Sequence, residues 1–228
     1  KGAIRGVLAT FDDLTDLEEK QVELKQTISK LENSREELRE KAVELEYLAT
    51  RDSLTSCLNR RAFFGKCEGL LEEAKRKNTA LACIMTDIDH FKSVNDRYGH
   101  ATGDKVIQMV ANELRANGRP DDIVGRYGGE ECCIVLPGLS ADEAAAIAER
   151  LRLAIKNSTQ VVFTSSLRVT VSFGVAELNE DVLNPGELID RADKALYVAK
   201  ESGRNRVICW QEEFVSTGNE VACDNLDR

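Results

Sequence analysis

Apolar positions near the start of the chain recur every seven residues. Leu17, Leu24, Leu31, Leu38 and Leu45 form one row, and Leu14, Gln21, Ile28, Arg35, Ala42 and Ala49 form the other. A seven-residue repeat keeps one narrow seam turned toward a partner helix, so it predicts a coiled coil over residues 16–49. Such a helix extends about 50 Å at a rise of 1.5 Å per residue. Gln21 and Arg35 weaken the seam and can specify its register. A lone helix packed on its own domain fits less well, because no wide apolar face is present. Ahead of it, residues 2–11 (GAIRGVLATF) read as a β-strand with nothing in the chain to pair with.

From residue 52 the pattern becomes that of a globular domain. A helix over 59–77 begins after Asn59, and the apolar run 80–88 (ALACIMTDI) predicts a buried strand. A helix over 101–117 follows, with Val106, Ile107, Val110 and Leu114 on one face. Strands are expected at 121–127 and 131–136, then a helix over 140–157 with Ala144, Ile147, Ala148, Leu151 and Ile155 inward. A strand over 167–177, a helix over 186–201 and a last strand over 205–210 complete the domain, 50–210. Without the outer helices the order is β-α-β-β-α-β. The fold class is therefore α+β, a ferredoxin-like βαββαβ core with extra strands and helices. The expectation is helices on one face of an antiparallel sheet. The polar, acidic tail 211–228 reads as disordered.

The net charge of −9 argues against broad, sequence-independent binding to nucleic-acid polymers, which needs a basic surface. The seven cysteines include no CxxC pair, and Cys83, Cys132 and Cys133 lie in apolar runs. Reduced, buried thiols in a cytoplasmic protein fit that usage. No run is long and apolar enough to span a membrane. The chain opens at Lys1 inside a strand-like run, the pattern of a piece of a longer protein whose other segments could attach it to a membrane.

Candidate chemistry concentrates at Arg126-Tyr127-Gly128-Gly129-Glu130-Glu131. A Gly-Gly pair between apolar runs predicts a two-residue hairpin turn with both glycines at positive φ. Asp87-Ile88-Asp89 ends the first core strand, and the topology brings the hairpin to the same sheet edge. Asp87 and Glu130, with the Ile88 carbonyl, form an oxygen set able to hold Mg²⁺ (or Mn²⁺). Alternation along a strand points Glu130 and Glu131 to opposite faces. Taken singly, Asp87 and Asp89 read equally well as caps of a helix over 90–95. His90 reads as a loop residue.

Asp87 through Asp96, then Gly99-His100, Gly103-Asp104 and Gly128-Gly129-Glu130-Glu131, resemble the GGDEF-domain diguanylate cyclases. Asp52-Ser53-Leu54-Thr55 with Asn59-Arg60-Arg61 is similar to that family's opening motif, and Ala199 through Arg206 to its last helix and strand. The resemblance implies a nucleotide-cyclase palm-like fold and a nucleotidyltransferase that joins two GTP into cyclic di-GMP and releases pyrophosphate. It makes Glu130, Glu131 and Lys92 the catalytic candidates and Asp87, Ile88 and Glu130 the metal ligands. Asn95 and Asp104 would read guanine, Phe91 and Lys92 would cradle phosphate, and Lys200 and Arg204, four apart on one helix face, would neutralise the triphosphate. Each domain would hold one GTP, so the reaction needs a homodimer, which the coiled coil would bring together.

Arg119-Pro120-Asp121-Asp122 resembles the family's RxxD site for its own product, with Arg150 as a secondary arginine. Taken alone, RxxD reads as a surface ion pair. Cys132 stands where the signature has Phe, which would loosen the hairpin without removing a ligand, and Ser56-Cys57 replaces Gly-Leu. The strand and Asp12-Asp13-Leu14-Thr15 resemble the end of a PAS sensor domain, assigned to residues 1–15. The alternative function is a catalytically silent GGDEF module acting as a cyclic di-GMP receptor.

Overall fold

The computed structural model describes the backbone of residues 2–162 and 167–214, and the side chains of 18–158 and 167–214. The chain divides into two units, Lys1–Ala49 and Thr50–Arg228.

The described residues of the first unit are helical: α1 runs from Gly2 to Thr50 without a break. The strand expected over 2–11 is therefore not formed, and the feature that resembled a sensor-domain strand is absent. The physical reason is hydrogen bonding. A strand needs a neighbour for its N–H and C=O groups, whereas a helix satisfies its own. The leucine row lies open to solvent, with Leu24 59%, Leu31 65%, Leu38 65% and Leu45 66% exposed. Among the described residues, no helix is long and apolar enough to cross a membrane.

The second unit begins with α2 (Arg60–Lys77), capped by Asn59, whose side chain accepts the Ala62 N–H at 3.0 Å. The remaining elements are β1 (Leu81–Ile88), α3 (Phe91–Tyr98), α4 (His100–Ala116), β2 (Ile123–Arg126), β3 (Glu131–Pro137), α5 (Ala141–Val162), β4 (Val171–Glu177), α6 (Pro185–Glu201) and β5 (Val207–Cys209). The strands lie in the order β2-β3-β1-β4-β5. β1 pairs antiparallel with β3 and β4, and β5 joins β4 in parallel, so the sheet is mixed. The βαββαβ core is present as expected. The tail over 211–228 lies outside the described residues beyond Phe214.

The core helices α4 and α5 cover one face of the sheet, as expected, and the outer helices α2 and α6 cover the other. Every residue of β1 is buried. Ala82, Ile84 and Ile88 pack with Val106, Val110, Leu114, Leu151 and Ile155 of α4 and α5. Leu81, Cys83 and Met85 pack with Phe63 and Leu71 of α2 and with Leu188, Ala192 and Leu196 of α6. A strand buried on both sides reads as a continuous apolar run rather than an alternating one. Each fully buried large apolar side chain stabilises the fold by roughly 1.5–3 kcal/mol. The six described cysteines carry no disulfide, and Cys83 Sγ lies 3.4 Å from Cys133 Sγ inside the α2/α6 cluster. Burial pushes the Cys67 thiol up to about 12, so it behaves as a small apolar side chain.

Candidate active site

Antiparallel register fixes where the carboxylates stand. Asp87 on β1 pairs with Glu131 on β3 on one side and with Ser172 on β4 on the other. Alternation then places Asp87 and Glu131 on the α6 side of the sheet, with Met85 and Cys133 beneath them. α6 comes close because Gly174 has no side chain: a Cβ there would collide with Ala192 O and Leu196 N. That approach delivers Lys200, whose Nζ lies 2.8 Å from Asp87 Oδ2.

The Gly-Gly segment differs from the expected turn. The positive-φ glycines among the described residues are Gly99, Gly138 and Gly203, so neither Gly128 nor Gly129 is left-handed. Strand pairing ends at Arg126–Cys132, and the Glu131 carbonyl accepts both the Tyr127 N–H (2.9 Å) and the Gly128 N–H (3.3 Å). Arg126 clamps the loop from outside, donating from Nη2 (2.8 Å) and Nε (3.2 Å) to Gly129 O. The same guanidinium donates to Asp52 at 3.1 Å, tying the opening motif to the loop. Burial alone would raise the Asp52 carboxyl, but hydrogen bonds from Thr55 and Arg126 outweigh it and hold it below its usual value. The glycines serve close approach instead: a Cβ on Gly128 would strike the Glu131 carboxylate, and around Gly129 the space is open. Cys132 leaves the hairpin register intact; it is buried, and its carbonyl accepts the Thr86 hydroxyl at 3.1 Å.

Glu130 precedes β3 and sits in the loop, so strand alternation does not separate it from Glu131. Both carboxylates feel Asp87 and Lys200. Burial, then the Asp87 charge, raises Glu130 and Glu131 above their usual values. Burial also raises Asp87, against the opposing ammonium of Lys200. Asp193 of α6 belongs to the same field: desolvation raises its carboxyl, with Asp190 and Asp87 adding to it, although its side chain still reaches solvent. The sequence reading missed Asp193. Its spacing of seven before Lys200, two helical turns, was the available signal.

Asp87, Glu130 and the Ile88 carbonyl offer only oxygen donors, in a field that already draws in one cation, Lys200. That chemistry fits a hard divalent ion. Among the described residues, no three His, Cys, Asp or Glu side chains converge as a ready-made metal cage.

The remaining predicted residues fall around this edge. α3 begins at Phe91, and its cap His90 sits left-handed (φ 56°) and makes no side-chain capping bond. His90 O accepts the Ser93 and Val94 N–H groups, so those of Phe91 and Lys92 precede the first helical bonds. Phe91 is buried and Lys92 exposed. Asn95 Oδ1 is buried with no partner among the described residues. Gly103 makes room for it, since a Cβ there would collide with Asn95 Oδ1, and Asp104 is exposed on the next position of α4. Asp89 caps nothing on α3; both its oxygens are taken by Thr170, Ser172 and Asn205. Arg204 is not on the helix face of Lys200, because α6 ends at Glu201. It sits in the turn beyond with φ 62°, close enough to act on the Asp87 carboxyl.

Arg119, Asp122 and Arg150 gather elsewhere. Arg119 donates from Nη2 (2.7 Å) and Nε (3.0 Å) to Asp122 Oδ1, and from Nη2 to Pro137 O at 3.0 Å. Arg150 Nη2 donates to Asn117 O at 3.0 Å. β3 runs from Glu131 to Pro137, which separates this cluster from the carboxylates by roughly 20 Å at the usual rise per strand residue.

The family model for the diguanylate cyclase GGDEF domain matches residues 49–206. The chain is 41% identical over 163 residues to a probable diguanylate cyclase, DgcT, of Escherichia coli (strain K12), covering 71% of this chain and 36% of that protein. It is 38% identical over 163 residues to the response regulator PleD of Caulobacter vibrioides, again 71% of this chain and 36% of that protein. The first three such relatives are covered over only 36%, 37% and 45% of their length. Among solved structures, the coiled coil and GGDEF domain of DgcB from Caulobacter crescentus, in complex with c-di-GMP, superposes with a TM-score of 0.74 at 34% identity. That match covers 82% of this chain and 98% of the other.

Proposed function

The chain belongs to the GGDEF-domain family of diguanylate cyclases, and on that premise we propose that it condenses two GTP into cyclic di-GMP with release of two pyrophosphates. The observation that carries this reading is the convergence of Asp87, Glu130, Glu131 and Lys200 at one sheet edge beside the open Gly129.

In each step the 3′-hydroxyl oxygen of one GTP bonds to the α-phosphorus of the other. The bond from that phosphorus to the bridging oxygen breaks, and pyrophosphate leaves. Asp87, Glu130 and the Ile88 carbonyl would hold Mg²⁺ (or Mn²⁺). When bound, that ion lowers the pKa of the attacking hydroxyl and offsets charge on the phosphates. Glu131, with its carboxyl raised by burial and by Asp87, is suited to take the hydroxyl proton. The Phe91 and Lys92 N–H groups and the Lys92 ammonium face the phosphates, as do Lys200 and Arg204. The unpartnered Asn95 Oδ1 suits a guanine N–H, with Asp104 as the second acceptor.

Each domain holds one GTP, so two must meet as a homodimer, and the exposed leucine row of α1 supplies the means. Arg119, Asp122 and Arg150 form an inhibitory site for the product. A cytoplasmic place of action, where GTP is available, goes with this reading.

The test is incubation of the chain with GTP and Mg²⁺, followed by chromatography of the nucleotides. Cyclic di-GMP and pyrophosphate are expected, and added product should slow the wild type but not Arg119→Ala. The second reading, a silent receptor, is favoured by the separation of the arginine cluster from the carboxylates. Bound cyclic di-GMP with no turnover would select it.

A further inference from the structure

Next to the catalytic edge lies a carboxylate that the proposed chemistry does not use. Asp89 is 5% exposed. The Thr170 hydroxyl donates to Oδ2 and the Ser172 hydroxyl to Oδ1, each at 2.6 Å. The Asn205 N–H donates to Oδ2 at 3.0 Å and shares its proton with Ser172 Oγ, also at 3.0 Å. The Asp89 N–H itself donates to Thr170 O at 2.9 Å. A carboxylate is acceptor-only and can serve three donors at once, which no neutral side chain of the same size can do.

These bonds hold the turn that follows α6. Gly203, Arg204 and Asn205 have φ of 111°, 62° and 46°. Left-handed backbone costs a non-glycine residue of order 1 kcal/mol, and it persists only where the surroundings over-determine it. Here the Gly203 N–H donates to Lys200 O (3.3 Å) and the Arg204 N–H to Ala199 O (3.0 Å). Arg152 of α5 donates to Asn205 Oδ1 at 2.7 Å. Asp89, next after the end of β1, adds a further tie to the turn through the Asn205 N–H. Arg204 thus has a fixed backbone, while its guanidinium makes no hydrogen bond or ion pair among the described residues.

We propose that Asp89 is a positioning residue for triphosphate recognition: by bonding Thr170, Ser172 and the Asn205 N–H it holds the Gly203–Asn205 turn so that Arg204 stands beside Lys200 at the catalytic edge. The inference rests on the reading of that edge as a GTP site. Asp89 touches no substrate in this role and acts through Arg204. Replacement by Asn keeps the shape but sets an amide N–H₂ against donors, so the Asn205 N–H loses its charged acceptor.

The test uses the full chain with Mg²⁺ and two probes, α,β-methylene-GTP and GMP, titrated by calorimetry. Asp89→Asn should weaken the triphosphate analogue by about tenfold, the scale of a charge-assisted hydrogen bond, and leave GMP unchanged. Arg204→Ala should do the same, and the double variant should be no weaker than Arg204→Ala alone. Equal losses for both probes, or additive losses in the double variant, would overturn the proposal. Should Asp89→Asn not fold, Ser172→Ala removes one hydroxyl from the same network and should show the same selectivity at smaller size; no selectivity there would also overturn it. Wild-type chain that binds neither probe would instead overturn the GTP reading itself.

Discussion

Glu130 shows at the scale of one residue how the site works against the fold. Its carboxyl is raised by burial and by the charge of Asp87, so the folded chain holds that proton to higher pH than the unfolded chain does. Stability is therefore lost as pH rises from the ordinary carboxylate range through the raised value. Glu130→Gln removes that cost. It should raise the melting temperature at pH 7 by up to a few degrees, with the gain vanishing near pH 4, as read by circular dichroism. The same change should abolish turnover. A variant that melts lower at pH 7, or still turns over GTP, would show that Glu130 is not held in this field. Residue types and topology paired Asp87 with Glu130 in the sequence, and only the family resemblance added Lys200 to them. The network around Asp89, for which capping was the plain alternative, was not legible because its partners, Thr170, Ser172 and Asn205, are distant in sequence.

At the scale of elements, α6 and β4 decide whether the group assembles. Gly174 lies against Ala192 and Leu196 with no room for a methyl. Gly174→Ala should push α6 outward and destabilise the domain by about 1–3 kcal/mol, measured by urea unfolding, and should also lengthen the Lys200–Asp87 pair. Unchanged stability would mean that the packing relaxes and does not place Lys200. Element types and order were legible from periodicity. The loop at Gly128–Gly129 was not, because a dipeptide signals a tight turn only when nothing else clamps the hairpin, and here Arg126 does. The segment 2–11 was misread for a related reason: its composition suits a strand, but a strand's hydrogen bonds must come from elsewhere.

At the scale of the whole molecule, the leucine row of α1 leaves Leu24, Leu31, Leu38 and Leu45 exposed to water. Leu31→Lys with Leu38→Lys should convert a dimer into monomers in sedimentation velocity. Turnover per chain should fall by about tenfold or more, as the second half-site is no longer held at high effective concentration. Binding of a GTP analogue to each domain should be unchanged. Monomeric wild type, or full turnover in the double variant, would remove α1 from the mechanism.

Local sequence by itself determined the periodic helices, the buried central strand and the βαββαβ order, because these depend on neighbours within a turn or a strand. The tertiary structure alone decided that the outer helices α2 and α6 cover the second sheet face, that Arg126 joins Asp52 to Gly129, that Asp193 enters the charged field and that Asp89 holds the turn bearing Arg204. Each of those rests on contacts between segments far apart in the chain, which no local pattern encodes. Only strand register and the close approach of α6 bring them within hydrogen-bonding or Coulombic reach.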